Sequence, residues 1–231
     1  MNVWTIAKIG VKETLRRPLA LFLVFLLPMV FYLVRIDVQW QAIRLLAIGV
    51  GWAVATLSLF SGVVSSQLDR RLCVMGARPS VLFAGRHIAQ AGIGLTVSGV
   101  YFVVVALTQD VVHLSAIGLL LVTTVLISVP LGALMSFAVA RELEGALALL
   151  SVMALQLLVD PDGSKAKLLP LWSTRKISAY AIGAEDAGAL KAGMLHFLVV
   201  FALCALVAWG ASVARLGIVR ASRLPAATQQ N

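Results

Sequence analysis

The stretch Gln67–His87, QLDRRLCVMGARPSVLFAGRH, is an island of charge between two long apolar runs. It carries Arg70, Arg71, Arg78 and Arg86 against one carboxylate, Asp69. Ile43 to Ser66 precede it and Ile88 to Leu107 follow it, both nearly free of charge. About 20 apolar residues, at a rise of 1.5 Å each, cross a hydrocarbon core of ~30 Å. The pattern therefore predicts two membrane helices joined by a polar segment, residues 67–87, outside the bilayer.

Working outward, the same reading repeats. Residues 19–36 form a first span, with Pro18 suited to a helix start and Pro28 inside as a kink candidate. The second and third spans are 43–66 and 88–107. Residues 114–138 form a fourth, with Pro130 inside. Residues 142–159 form a fifth, whose uncharged part from Gly145 is only about 22 Å long. Residues 191–213 form a sixth. Between the last two, residues 160–190 open on Asp160-Pro-Asp-Gly, a strong turn signal. Leu168 to Ala184 are then interrupted by Pro170, Arg175 and Lys176 and cannot span alone. They read as short helices dipping back into the membrane against other protein, a re-entrant element. The fold expected is an all-α integral membrane protein of one domain, 1–231, with six transmembrane helices.

Residues 3–17 differ from the spans. Trp4, Ala7, Val11 and Leu15 recur at helical spacing, while Lys8, Lys12 and Arg16 line another side. That amphipathic, basic pattern predicts an N-terminal helix lying in the membrane interface. It argues against a secretory signal peptide, because the basic residues precede a run long enough to be retained as a span. Two rows of small residues spaced by four, Ser58/Gly62/Ser66 and Ser128/Gly132/Ser136, are candidate close-approach faces.

Composition agrees. Hydrophobic residues make up 61% of the chain and charged residues only 13%, against about 25% charged in a soluble domain. The formal charge of +9 does not indicate nucleic acid, because the basic residues flank apolar runs and do not share one solvated face. With the N-terminus in the cytoplasm, the inner side collects Lys8, Lys12, Arg16, Arg17, Arg70, Arg71, Arg78, Arg86, Arg141, Arg215, Arg220 and Arg223. Outside the long link before the sixth span, only Arg35 and Arg44 face the other way. The positive-inside rule thus predicts both termini in the cytoplasm of a multi-pass inner-membrane protein.

The chemistry carried is sparse. There is no GxxxxGK[ST], HExxH or GxSxG pattern. His87, His113 and His196 fall near the ends of different spans, so no metal set is expected. Cys73 in the island and Cys204 in an apolar run fall at different depths, so no disulfide is expected. Gln156 and His196 are the polar residues within spans that would line a pathway. For both, a local structural hydrogen bond is the stronger reading. The chain is not expected to be an enzyme or to bind a cofactor itself.

Over nearly its whole length the chain resembles the membrane subunits of ABC-2 type exporters. The resemblance rests on the basic N-terminal helix, the six spans, the basic link between spans two and three, and the extra element before the last span. Within the link it rests on Asp69-Arg70-Arg71, then Pro79-Ser80, then Gly85-Arg86 entering span three. The family often has Glu where Asp69 stands, and a Gly-Thr or Gly-Leu-Glu step where Leu72-Cys73-Val74 stand. The resemblance implies a permease that pairs with a second copy or homologue and couples to a separate ATPase subunit, which binds the ATP and Mg. It implies that Asp69, Arg70, Arg71, Leu72, Met75, Arg78 and Pro79 form the ATPase-docking segment, with a short helix within Leu72 to Arg78. The cargo it implies is amphipathic or hydrophobic: a drug, peptide, lipid or glycan. Two alternatives stay open: a haem-export type permease, and a membrane-embedded enzyme or scaffold with no transport role.

Overall fold

The computed structural model describes residues 2–139, 141–159 and 163–221. The Asp160-Pro161-Asp162 turn and Arg223 lie outside the described residues. Among these residues every regular element is helical: α1 (Val3–Leu15), α2 (Pro18–Leu33), α3 (Gln39–Val74), α4 (Pro79–Thr108), α5 (Leu114–Ala138), α6 (Glu142–Leu158), a 3-10 turn (Ser164–Leu168), α7 (Trp172–Ala181) and α8 (Ala187–Ala221).

Four helices, α3, α4, α5 and α8, are long and apolar enough to cross a membrane. A fifth span follows if α1 and α2, bent by 83° at Arg16–Arg17, count as one broken span. On its own α2 has 16 residues and α6 has 17. At 1.5 Å per residue each reaches about 25 Å, short of the hydrocarbon core.

The centre of the bundle is α3 against α5. Both are mostly buried along their apolar windows, whereas α8 keeps its apolar side chains outward. The two small-residue rows meet here, with the helices running parallel. The Ser58 hydroxyl donates to the Val129 carbonyl at 2.7 Å. A Cβ on Gly132 would lie 2.0 Å from the Ala55 carbonyl oxygen, and one on Gly62 would lie 2.5 Å from Ser136 Oγ. Small side chains are needed because the backbones touch. Around this pair, α4 is held by Ile93, Val97 and Tyr101, which share one core cluster with Val54, Leu121 and Val125.

α1 packs on the start of α4. Gly85 faces Ile6, and Gly10 faces Ala89. The buried face of α1 is Ile6, Ala7, Gly10 and Thr14. This corrects the expected stripe of Trp4, Ala7, Val11 and Leu15 by about a quarter turn, at 100° per residue. Amphipathicity marks an apolar arc, but the close fit to α4 selects the smallest residues on its edge. Trp4 and Leu15 stay 64% and 60% exposed, on a face turned away from the bundle. Lys8, Lys12 and Arg16 are exposed as expected.

Cys73 is buried, and Cys204 lies within α8; no disulfide joins them.

Candidate functional site

Residues 67–87 are mostly helix. Thirty-six residues make α3 about 54 Å long, far more than a bilayer core needs. Its last two turns, with Asp69, Arg70 and Arg71, therefore run beyond the apolar part. α4 begins at Pro79, leaving Met75 to Arg78 as the connection. Leu72 to Val74 are the last turn of α3, so the short separate helix expected within Leu72 to Arg78 is not formed.

The turn is dictated locally. The Ala77 N–H donates to the Leu72 carbonyl at 2.9 Å, and the Gly76 N–H to the Cys73 carbonyl at 3.1 Å. This is a Schellman stop, with Gly76 as its left-handed residue at φ 96°. Pro79 then starts α4 where no backbone donor is needed. The Gly76–Pro79 spacing carried this signal in the sequence. Beneath the turn, Ile6, Cys73, Ala77, Leu82 and Leu216 form a small core that joins α1, α3, α4 and α8. Gly76→Ala places a Cβ in a backbone conformation costing about 1–2 kcal/mol, with no steric contact within 4 Å to add to it. The expected result is a drop in thermal stability of that size. An unchanged melting curve in detergent would show that the turn does not depend on Gly76.

On this base the residues of the island divide. Arg70, Arg71, Val74, Met75 and Arg78 are exposed, Met75 at 74%. Leu72 and Pro79 are half-buried. Asp69 and Arg86 turn inward. The Arg86 Nε donates to Asp69 Oδ2 at 2.9 Å, and Nη2 to Oδ1 at 2.6 Å. Only 13% of the Asp69 side chain and 14% of the Arg86 side chain are exposed. Glu13 of α1 lies 4.0 Å from Arg86, so the pair links α3, α4 and α1. Of the four island arginines, three thus face outward around two exposed apolar side chains, and the fourth is a fastener. The part of Glu13 and the inward turn of Arg86 were not legible in the sequence, because the partners sit 17 and 73 residues away from Arg86.

Behind the Asp69–Arg86 pair is a chamber of about 60 Å³ between α3, α4, α5 and α8. Serines from three of these helices line it, together with His87 and Gln90 of α4 and Arg215 of α8. The His87 Nδ1 is 2.9 Å from the Phe83 carbonyl.

Gln156 and His196 are both found around Trp172, at the start of α7. Gln156 is buried and lines a cavity of about 20 Å³ with Trp172, and the Arg44 guanidinium donates to its backbone carbonyl at 3.2 Å. The His196 ring lies 5.0 Å from the Trp172 ring, with Nε2 3.0 Å from the Lys167 carbonyl. His196 therefore makes the local structural bond expected of it. The Gln156 Nε2 has no partner among the described residues. His113 packs edge-on against Tyr180 at 4.4 Å, so the three histidines are far apart in role. Among the described residues no three His, Cys, Asp or Glu side chains come together as a metal set.

Compared with known proteins, the sequence matches no family model and is not significantly similar to any curated protein.

Proposed function

We propose that this chain is the membrane subunit of an ATP-driven exporter of the ABC-2 type, working as a pair of permease subunits with a separate ATPase. The observation that carries the reading is the exposed tip of the α3–α4 hairpin. Arg70, Arg71 and Arg78 surround Val74 and Met75 on a turn braced from below by four helices. A basic rim around an apolar tip suits insertion into a cleft on a soluble partner. The rigid support matters because a coupling element must transmit displacement and not absorb it. A chain with no nucleotide-binding pattern needs such a receiver if it is to be driven by ATP.

On this reading α2 and α6 are the first and fifth of six spans, their short lengths accommodated by local thinning of the bilayer. The 83° bend sets α1 along the interface as α2 enters the membrane. The 3-10 turn and α7, packed on α5 and α8, form the re-entrant element on the outer side. Both termini are in the cytoplasm. An apolar groove of about 510 Å³ between α2, α3 and α6 is lined by Leu23, Leu27, Trp52, Leu57 and Phe60. It supports amphipathic or hydrophobic cargo and a contact with the second subunit.

Arg70→Glu with Arg71→Glu is expected to abolish co-purification with the ATPase subunit while membrane insertion and monodispersity stay at wild-type level. Both side chains are exposed and outside the Asp69–Arg86 pair, so folding is spared. Wild-type co-migration of the double variant with the ATPase on native gels would sink the docking assignment. Substrate-stimulated ATPase activity of the reconstituted complex tests the function as a whole.

A further inference from the structure

The chamber behind the Asp69–Arg86 pair continues into a cleft of about 230 Å³, the two sharing Ser66, Ser136, Phe137 and Arg215 as walls. Arg215 is exposed and makes no ion pair or hydrogen bond among the described residues. The Ser58 and Ser136 hydroxyls donate to backbone carbonyls. Those of Ser66 and Ser212 have no acceptor among the described residues, and Ser212 is buried. Deeper in, Gln90 is only 2% exposed and its Oε1 has no partner. A buried amide oxygen left unbonded is costly unless something fills the space beside it.

The charge of this place is settled by geometry. Asp69 also faces the chamber, but Arg86 contacts both of its oxygens. Among the described residues Arg215 is therefore the charge left uncompensated, with the Ser66 hydroxyl on the same cleft and the Ser212 hydroxyl in the chamber behind. α5 ends at Ala138, on the wall of the cleft, so the cleft opens where an apolar helix stops. Val63, Ala138 and Val139 make the rest of that wall apolar. A guanidinium fork with a hydroxyl donor at an interfacial, half-apolar opening matches a phosphate group.

We propose that this cleft binds a phosphate group at Arg215, with the Ser66 hydroxyl donating to its oxygens; Ser212 lines the chamber behind it. Ordered water fills the chamber from there to the Gln90 Oε1, supplying the donor that this oxygen otherwise lacks. The phosphate comes from a phospholipid headgroup or from a soluble phosphate compound. The site does not depend on the exporter reading.

The test uses the delipidated full-length chain in detergent, titrated in separate arms with phosphatidylglycerol in mixed micelles and with inorganic phosphate at constant ionic strength. Thermal stabilisation of the protein is the readout. Wild type is expected to be stabilised. Arg215→Gln is expected to raise the apparent Kd at least about tenfold, as loss of a charge-assisted bidentate contact does. Ser66→Ala is expected to weaken binding less, and Arg215→Lys to retain part of it. Arg35→Gln, an exposed arginine between α2 and α3 with no part in the cleft or the docking tip, is expected to bind as wild type. Stabilisation by the lipid alone assigns the headgroup as source, and stabilisation by inorganic phosphate assigns a soluble one. No stabilisation in either arm, or equal losses in Arg215→Gln and Arg35→Gln, overturns the proposal.

Discussion

Gly132→Ala is expected to destabilise the protein by about 1–3 kcal/mol in detergent, although alanine is the better helix former. Two effects oppose each other. Alanine in place of glycine inside a helix gains about 1 kcal/mol from propensity. Against this, the new Cβ would sit 2.0 Å from the Ala55 carbonyl oxygen and 2.9 Å from Ser58 Cβ. The obstacle is backbone of α3 and cannot swing aside. The helices must part by more than 1 Å, as ordinary contact distances require. Overpacking of this kind costs about 1–3 kcal/mol and sometimes more. Parting also stretches the 2.7 Å bond from Ser58 to Val129, worth about 0.6 kcal/mol on average between membrane helices. The clash therefore wins. Gly92→Ala and Gly99→Ala on α4 are the controls, since a Cβ at either meets nothing within 4 Å. They are expected to be neutral or stabilising by up to about 1 kcal/mol. Thermal unfolding of the three variants decides the matter. If Gly132→Ala matched the two controls, the close α3–α5 contact would be wrong.

Asp69→Ala is expected to cost about 2–4 kcal/mol by leaving Arg86 paired only with Glu13 at 4.0 Å. The cost is large because both side chains are under one-seventh exposed, and removing one partner of a buried pair leaves an uncompensated charge. Arg86→Ala strands Asp69 in the same way, with Ser65 at 3.5 Å as its remaining neighbour. The double variant Asp69→Ala/Arg86→Ala is expected to be less damaged than the sum of the singles by about 2 kcal/mol, since neither charge is then orphaned. Salt up to about 1 M is expected to change these differences little, because a shielded pair is weakly screened. Arg70→Ala, exposed on the same helix, is expected to stay within about 0.5 kcal/mol of wild type. Simple additivity of Asp69→Ala and Arg86→Ala would show that the two do not act as a pair.

Both predictions concern the island and the small-residue rows, which the sequence marked for different reasons. Gly62 and Gly132 stood out by spacing, and the spacing was informative because parallel helices in close contact need a small residue on each turn of the seam. Which row met which was a matter of the bundle. Asp69 is the one acid among the four arginines of the island, and the family resemblance implies a docking role for it together with them. Its contact with Arg86 depends on the hairpin closing so that the end of α3 and the start of α4 lie side by side.

The sequence by itself determined the helical, membrane-type character of this chain, the positions of its apolar runs, and the break at Arg16–Pro18. These follow from local composition, because about 20 uncharged residues and a proline carry their consequences without reference to any neighbour. The tertiary structure alone decided which face of α1 is buried and that residues 67–87 are helix ends around a four-residue turn. It also turned Arg86 inward while Arg70, Arg71 and Arg78 face out, and left Arg215 at the mouth of a polar chamber. Those outcomes depend on what each side chain meets across a helix interface. Residues 17 or more apart in the chain have no relation until the bundle packs them together. The island Gln67–His87 is thus two things at once: a fastener at Asp69–Arg86 and an exposed basic tip resting on it.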